Sequence, residues 1–513
     1  MKKQLIFISL TLISASLYAE TPNKHKDKAH YFSNAQTALH AKIQAIRKGS
    51  KAKNIILFIG DGMGISTVTA ARILDGQNKG HTGEENMLSF DNFPFVGLSK
   101  TYNTNSQTPD SAGTMSAIMT GEKTKKGVLA ISDEALRADC KSSKGNELTT
   151  ALELAEMRGL STGVVTTTRL THATPAATYA HSPDRNWEND SKLTLEAKQN
   201  GCKDIALQFL EFDYGDGIDV AFGGGRREFM PKDVKVEGKH GKRTDGRDLR
   251  VEWMKKYPEA TYIESLDGFN KIPKNSHKVL GLFNSSHMHF AADRVNDKLG
   301  EPSLTQMTQK AIEILSKNKK GFFLMVESGR IDHAHHAGNA FNALNETIEL
   351  SKAVAKADSL TNDDDTLIIV TADHSHVFTM SGYPKRGNPI LGKVRGTDEH
   401  GLPKNKDELA LDGLPYTTLN YENGRGFKNL GNETDASKGD DNVHTGRVDL
   451  THIDTTQSGF HQEAMIPLKN ETHSGEDVPI YSKGPGAFLL TGTNEENMIY
   501  HVMEFVGDLT EKE

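Results

Sequence analysis

Short apolar, β-branched runs alternate along this chain with longer amphipathic segments. Ile55 to Ile59, Gly163 to Thr168, Val220 to Phe222, Val279 to Phe283, Phe322 to Val326, Leu367 to Thr371 and Phe488 to Leu490 are short and nearly continuous in apolar character, which predicts buried strands. Between them, Glu147 to Arg158, Leu304 to Lys317, Ala340 to Ala357 and Glu495 to Phe505 repeat apolar residues at helical spacing. Ser303 and Gln306 form a capping box at the start of the second of these. Strands alternating with helices predict an α/β fold, a three-layer α/β/α sandwich around a large, mostly parallel sheet. Two stretches break the alternation. Residues 231–248 are basic, polar and contain glycine, and residues 382–462 are long, polar and rich in turns. Chemistry-bearing motifs continue after both, so both are expected to be surface insertions within one domain spanning 20–513.

The first nineteen residues have a different pattern. Lys2 and Lys3 precede an apolar stretch from Leu5 to Leu17 that is too short to span a bilayer, and Ala19 supplies a small residue before Glu20. This predicts an export signal over 1–19 and a periplasmic or secreted protein; a buried N-terminal helix is the weaker alternative, because the stretch to about Lys53 is polar. No later run reaches ~18 apolar residues, and the charged end, Asp508 to Glu513, has no hydrophobic tail, so no membrane anchor is expected. Composition adds three constraints. A chain of 513 residues can bury a large core unaided. A net charge of −7 makes nucleic acid an unsuitable main partner, and two cysteines are too few for a disulfide scaffold. The 21 histidines are the first sign of metal, since several stand beside acids.

Five motifs carry candidate chemistry. Phe58-Ile59-Gly60-Asp61-Gly62-Met63-Gly64 ends a strand in an acid flanked by glycines, where α/β sheets place ligands, although Asp61 can also be read as a helix cap. Thr108-Pro109-Asp110-Ser111-Ala112-Gly113 enters a helical pattern; Ser111 is either an N-cap or a nucleophile whose anionic adduct sits on a helix N-terminus. No G-x-S-x-G elbow surrounds it. Glu327 ends a strand before Ser328-Gly329-Arg330-Ile331-Asp332-His333-Ala334-His335-His336; Asp332 and His336 share a helical face and can share one metal, and Glu327 can serve a second ion. Thr371-Ala372-Asp373-His374-Ser375-His376 delivers a carboxylate and an imidazole at another strand end, a pair suited to zinc. His473, in Glu471-Thr472-His473-Ser474-Gly475, can complete such a pair. Two further patches run from Thr166-Thr167-Thr168-Arg169 through His172 and Thr174, and from Ala180-His181 to Arg185-Asn186-Trp187. Arg185 can fork onto an oxyanion or simply pair with Asp184 or Glu188 at the surface.

Taken in order, these motifs resemble the alkaline phosphatase family, closer to its animal-type and marine bacterial members than to the enteric form, from which His172 and His333 differ. The resemblance covers nearly all of the chain after the signal. It implies a phosphomonoesterase that works at alkaline pH through a phosphoserine on Ser111, forms a homodimer, acts on small phosphate monoesters and carries a crown-like insertion. It implies two zinc ions, one on Asp332, His336 and His473 and the other on Asp61, Asp373 and His374. It implies one magnesium on Asp61, Thr174 and Glu327, with His172 nearby through water, and Arg185 as phosphate clamp with His333 close to the substrate. It also implies a Cys140–Cys202 disulfide. Asn284 and Glu301 depart from the pattern of the calcium site found in some relatives, which weighs against calcium. The alternatives are a phosphodiesterase of the same superfamily, a sulfatase or phosphomutase on the same scaffold, and a non-catalytic secreted metal-binding protein. Ser111-Ala112-Gly113-Thr114-Met115 lacks the C/S-x-P-x-R context of sulfatases.

Overall fold

A computed structural model describes residues 51–510 apart from Asp440, Asp441 and Thr445. The export signal expected over 1–19 lies outside the described residues. Ten strands form one sheet: β1 (Asn54–Gly60), β2 (Phe95–Lys100), β3 (Ser161–Arg169), β4 (Val220–Gly224), β5 (Thr261–Ile263), β6 (Val279–Leu282), β7 (Phe322–Ser328), β8 (Thr366–Thr371), β9 (Val478–Lys483) and β10 (Gly492–Glu495). Their order across the sheet is β10-β2-β9-β8-β1-β7-β3-β4-β6-β5. All neighbours run parallel except β9, which is antiparallel to both β8 and β2. In register, Ile59 lies beside Thr371 on one side and Glu327 on the other, and Glu327 lies beside Thr166. The four central strands β8, β1, β7 and β3 therefore finish level, at one edge. Because β9 runs the other way, the residues that precede it reach that same edge.

Seven helices matter to the site: α1 (Ile65–Asn78), α2 (Ser111–Thr120), α3 (Ala151–Met157), α4 (Leu304–Leu315), α5 (Arg330–His336), α6 (Ala340–Leu360) and α7 (Met498–Gly507). Ile56 and Phe58 of β1 pack in one core cluster with Val68 of α1, Met307 of α4 and Leu344 of α6. The alternate residue Ile55 meets Gly507 of α7, and α7 packs on α2 and α3. Helices thus cover both faces of a sheet whose central strand is buried throughout, and each fully buried Ile or Phe side chain contributes roughly 1.5–3 kcal/mol. The expected α/β/α sandwich is present. The capping box of α4 is closed by Gln306 N donating to Ser303 Oγ (3.1 Å) and Ser303 N donating to Gln306 Oε1 (2.8 Å).

Three element expectations are corrected. The helix expected from Glu495 begins at Met498, and Glu495 itself ends β10. Phe488 to Leu490 is not a strand but a 3₁₀ turn, Ala487–Leu490, entered through Gly486 at φ 71°. Its ends are buried while Phe488 stays 40% exposed. The helix expected from Glu147 begins at Ala151, because Thr150 Oγ1 accepts the Glu153 amide (3.1 Å) as its N-cap. Within 231–248, Lys235–Val236 pairs with Lys239–His240, and Arg243 is buried against both Asp204 carboxylate oxygens (2.8 and 3.1 Å). In the second polar stretch, Leu419–Gly424 pairs with Phe378–Met380 and Ala464–Pro467. Cys140 and Cys202 are bridged and pack with Trp187. Among the described residues, no helix is long and apolar enough to cross a membrane.

Candidate active site and metal centres

The sheet edge brings the predicted residues together. Asp61 follows β1, Glu327 lies in β7, Asp373 and His374 follow β8, and His473 precedes β9. Gly62 makes the turn after β1 with φ 73°, and the His376 ring occupies the space where a Cβ would project, so the position requires glycine. Asp61 caps no helix: the N-cap of α1 is Gly64. Nor does Ser111 cap α2. Asp110 takes that role, accepting from the Gly113 amide (3.2 Å), which leaves Ser111 as the first helical residue with its Oγ 3.1 Å from His374 Nε2. Oγ therefore lies at the positive end of a ten-residue helix, and Ser111 is buried to 2% exposure.

Asp332, His336, His376 and His473 form the first group of ligand atoms close enough to share an ion. His336 Nδ1 faces the Glu471 carbonyl (2.6 Å) and His473 Nδ1 faces the Pro109 carbonyl (2.8 Å). A carbonyl only accepts, so each Nδ1 carries the proton and each Nε2 presents a lone pair. Those two Nε2 atoms lie 3.1 Å apart, at 3.2 and 3.3 Å from Asp332 Oδ1. Two lone pairs and a carboxylate oxygen converging on one point call for a cation. Burial opposes a charge on His336, yet without a cation Asp332 would draw a second proton onto that imidazole, at the position a bound cation would take. His376, quoted in the motif but given no role, donates to Glu471 Oε2 (2.6 Å) and to Asp332 Oδ1 (2.9 Å). With both nitrogens committed to carboxylates, His376 fixes the orientation of Asp332.

Asp61, Asp373 and His374 form the second group. His374 Nδ1 donates to the Ser375 carbonyl (3.3 Å), and its Nε2 faces Asp61 Oδ1 (3.3 Å) and Asp373 Oδ2 (3.5 Å). Asp61, His172 and Glu327 form a third. There, Thr174 Oγ1 donates to Asp61 Oδ2 (3.4 Å), and Glu327 Oε2 accepts from Thr168 (3.1 Å) and from Thr166. Asp61 Oδ1, Glu327 Oε1 and His172 Nδ1 are buried without hydrogen-bond partners. Burial, reinforced by Asp373, Asp332 and Glu327, pushes the Asp61 carboxyl well above the carboxylate range. Burial likewise pushes Glu327 up to about 7 and Asp373 up to about 6. Crowded carboxylates with orphaned buried oxygens are what bound cations would satisfy. The donor sets fit: oxygens dominate the third group and suit magnesium, while mixed nitrogen and oxygen in the first two suit zinc.

Arg185 does not pair with Asp184 or Glu188. Asp184 holds Arg137 (3.2 Å) and Glu188 holds Arg169 (2.7 Å), whereas Arg185 Nη1 donates to Asp110 Oδ2 (2.9 Å) and Nη2 to His172 Nε2 (3.3 Å). Asp110 thus ties the serine helix to the arginine. His333 enters none of these ligand groups. Its Nδ1 accepts from Arg330 Nη1 (3.1 Å), and its ring lies 4.1 Å from that of His287 and 5.6 Å from that of His172. Around Asn284, the Glu301 carboxylate receives Asn284 Nδ2 (2.6 Å), His289 N (2.8 Å) and His289 Nδ1 (3.0 Å). Asn284 Oδ1 is turned away onto the Ser286 amide (3.1 Å), while His289, Asp297 and Glu301 form a further group of ligand atoms close enough to share an ion.

A sheet carrying a serine among carboxylate and imidazole clusters at its strand ends defines a metal-dependent hydrolase architecture. The alkaline phosphatase family model matches residues 52–509, and the chain belongs to that family as an alkaline phosphatase enzyme. It is 43% identical to the human tissue-nonspecific alkaline phosphatase over 510 residues, covering 97% of this chain and 92% of that protein. It is also 43% identical to the alkaline phosphatase of Gadus morhua over 472 residues, 90% of this chain and 93% of that one. The fold is shared with the Thermus thermophilus alkaline phosphatase (TM-score 0.64, 23% identity, 91% of this chain and 93% of that one). The enzyme from the Antarctic bacterium TAB5 also shares it (TM-score 0.58, 22% identity, 90% of this chain and 100% of that one).

Proposed function

We propose that this phosphomonoesterase hydrolyses small phosphate monoesters through a phosphoserine on Ser111, using two zinc ions and one magnesium. The observation that carries the reading is the position of Ser111 Oγ, 3.1 Å from His374 and at a helix N-terminus among three ligand groups. Asp332, His336 and His473 would hold one zinc, Asp61, Asp373 and His374 the other, and Asp61, Thr174 and Glu327 the magnesium, with His172 reaching it through water. Bound there, the cations would supply positive charge for the serine oxygen and for the leaving oxygen. Arg185, oriented by Asp110, binds two non-bridging phosphate oxygens. Ser111 attacks phosphorus in line, and water then attacks the phosphoserine from the vacated side, giving net retention. The positive end of α2 favours the dianionic phosphoserine. The Cys140–Cys202 bond supports an oxidising, exported location.

The test uses purified protein with zinc and magnesium and compares p-nitrophenyl phosphate with bis-p-nitrophenyl phosphate. Labelled phosphate is then trapped at low pH and mapped. Preference for the monoester and label on Ser111 are expected. Preference for the diester, or label elsewhere, removes this reading; turnover of neither leaves a metal-binding protein.

A further inference from the structure

A carboxylate cluster stands at the edge of the sheet opposite to the catalytic one. Glu156 belongs to α3, Asp219 immediately precedes β4, and Asp216 lies on the loop between the helix Ile205–Glu211 and that strand. Ligand oxygens of all three come close enough together to share an ion. Thr162 of β3 donates its amide to Asp219 Oδ2 (3.1 Å) and its hydroxyl to Glu156 Oε1, so the cluster sits at the amino end of β3. Further along the same strand, Thr168 meets Glu327 of the third ligand group. At ~3.3 Å per residue, that separates the cluster from the phosphoryl site by ~20 Å.

Carboxylates gathered at a surface mean little by themselves. In this cluster, however, one of them is buried with an oxygen left over. Glu156 is 1% exposed, and its Oε2 has no hydrogen-bond partner. That oxygen points at the loop carrying Asp216: a Cβ on Gly215 would come within 2.4 Å of Glu156 Oε2 and 2.7 Å of the Glu156 carbonyl oxygen. Gly215 has φ 54°, so both the turn and the close approach require glycine. Lys278 does not satisfy that oxygen. Its Nζ donates to the Gly217 and Ile218 carbonyls (2.5 and 3.2 Å) and stands 3.5 Å from Asp219 Oδ1. One ammonium so placed leaves the three carboxylates in excess, and a buried carboxylate oxygen without a donor is unfavourable. A cation between Glu156, Asp216 and Asp219 would satisfy it; without one, a proton takes the place, because burial pushes the Glu156 carboxyl up to about 8.

We propose that Glu156, Asp216 and Asp219 bind a calcium ion that pins the 212–219 loop to α3 and to the amino ends of β3 and β4. The donor set selects the ion. Its side-chain donors are all oxygens, which disfavours zinc, and they come from a helix, a loop and a strand entrance in no regular array. Calcium accepts six to eight oxygens in flexible geometry, whereas magnesium demands a near-ideal octahedron. Asp216 is exposed, so water completes the shell from that side. The site is separate from the group of His289, Asp297 and Glu301, which contains an imidazole. An ion here acts on stability rather than on turnover, and the inference does not depend on the phosphomonoesterase reading.

Radiolabelled calcium is titrated by equilibrium dialysis onto the zinc- and magnesium-loaded enzyme, Asp216→Asn and Glu156→Gln, with Glu301→Gln as a control at the imidazole-containing group. The wild type should bind a calcium ion that Asp216→Asn and Glu156→Gln hold about tenfold more weakly or lose, and that Glu301→Gln retains. Calcium at about 10 mM should raise the melting temperature of the wild type and raise that of Asp216→Asn by less than half as much. Because Asp216 is exposed, its replacement does not threaten folding, and kcat for p-nitrophenyl phosphate should not change. Unchanged calcium binding in either cluster variant, no calcium bound by the wild type, or a loss confined to Glu301→Gln would each overturn the proposal while leaving the phosphatase reading intact.

Discussion

Arg185→Ala removes the guanidinium that Asp110 aims into the site. In the wild type, Asp110 accepts from Arg185 Nη1 (2.9 Å) and from the Gly113 and Gly127 amides (3.2 and 2.9 Å). A charge-assisted hydrogen bond is worth ~1.5–3 kcal/mol, and two to phosphate, less the resolvation of its oxygens, leave about 3 kcal/mol. That corresponds to about 100-fold in KM for p-nitrophenyl phosphate and in the inhibition constant of inorganic phosphate. The same oxygens are present in substrate, transition state and product, so the lost binding is largely uniform and kcat should fall far less. The collateral effect on stability is limited. Asp110 loses one donor and keeps two backbone amides, at a cost of ~1–2 kcal/mol. Burial raises the Asp110 pKa, but Arg185 and the Gly127 amide hold it below its usual value. Its stabilising share is therefore present above the unfolded pKa and lost only as pH falls through the folded one, so an assay at neutral pH or above meets an ionised Asp110 in the wild type. Arg185→Lys, which keeps charge without the fork, should fall between the two. Steady-state kinetics, phosphate inhibition and thermal melting are measured on all three proteins. Wild-type phosphate inhibition in Arg185→Ala would remove Arg185 from the site, and a large loss confined to kcat would refute the uniform-binding argument.

Ser111→Ala should lose several orders of magnitude in kcat while metal content, measured by mass spectrometry, stays the same; retained turnover would point to another nucleophile. Removing zinc should abolish activity and zinc with magnesium should restore it, and His336→Ala or His473→Ala should each weaken the same site. Full turnover in a zinc-free preparation contradicts this. Glu156 predicts an alkaline loss of stability. Burial pushes its carboxyl up to about 8, and its Oε2 has no partner. The folded state holds that proton while the unfolded chain releases it at about 4.5, so stability present below the unfolded value declines as pH rises through the folded one. Between pH 6 and 9 about two pKa units are at stake, ~3 kcal/mol, and Glu156→Gln should flatten the decline seen in denaturant titrations. Parallel curves for the two proteins would refute it.

The sheet was legible where strands are buried on both faces. β1, β3, β7 and β8 are continuous apolar runs that end in acids or threonines, and those ends are the site. β2, β9 and β10 escaped detection because polar residues interrupt them, and β5 because it is only three residues long: β2 reads Phe-Val-Gly-Leu-Ser-Lys, with only alternate positions inside. Phe488 to Leu490 misled for the opposite reason, since three apolar residues fit a strand or a tight turn equally well. In the site, the serine and the three ligand groups coincide with sequence motifs. The residues that aim them do not stand out. Asp110, His376 and Glu471 lie inside or beside the motifs, but their work is done across the fold, on Arg185, Asp332 and His336. Arg330 stands in the same helix as three histidines, and no spacing rule shows that its side chain stacks on Phe290 and donates to His333.

The reversal of β9 also sets an order in time. Synthesis proceeds from the N-terminus, and domains fold as their segments emerge. β2 is separated from β8 by β9, which is almost the last strand to appear, and His473 arrives immediately before it. Until then, Asp332 and His336 face an incomplete partner set, and the sheet has a gap between its early strands. The first ligand group is therefore a record of completion: its residues stand together only once the chain has been made and threaded through to its final strands. A truncated or stalled chain keeps its serine and most of its carboxylates, yet lacks His473 and Glu471 beside Asp332 and His336.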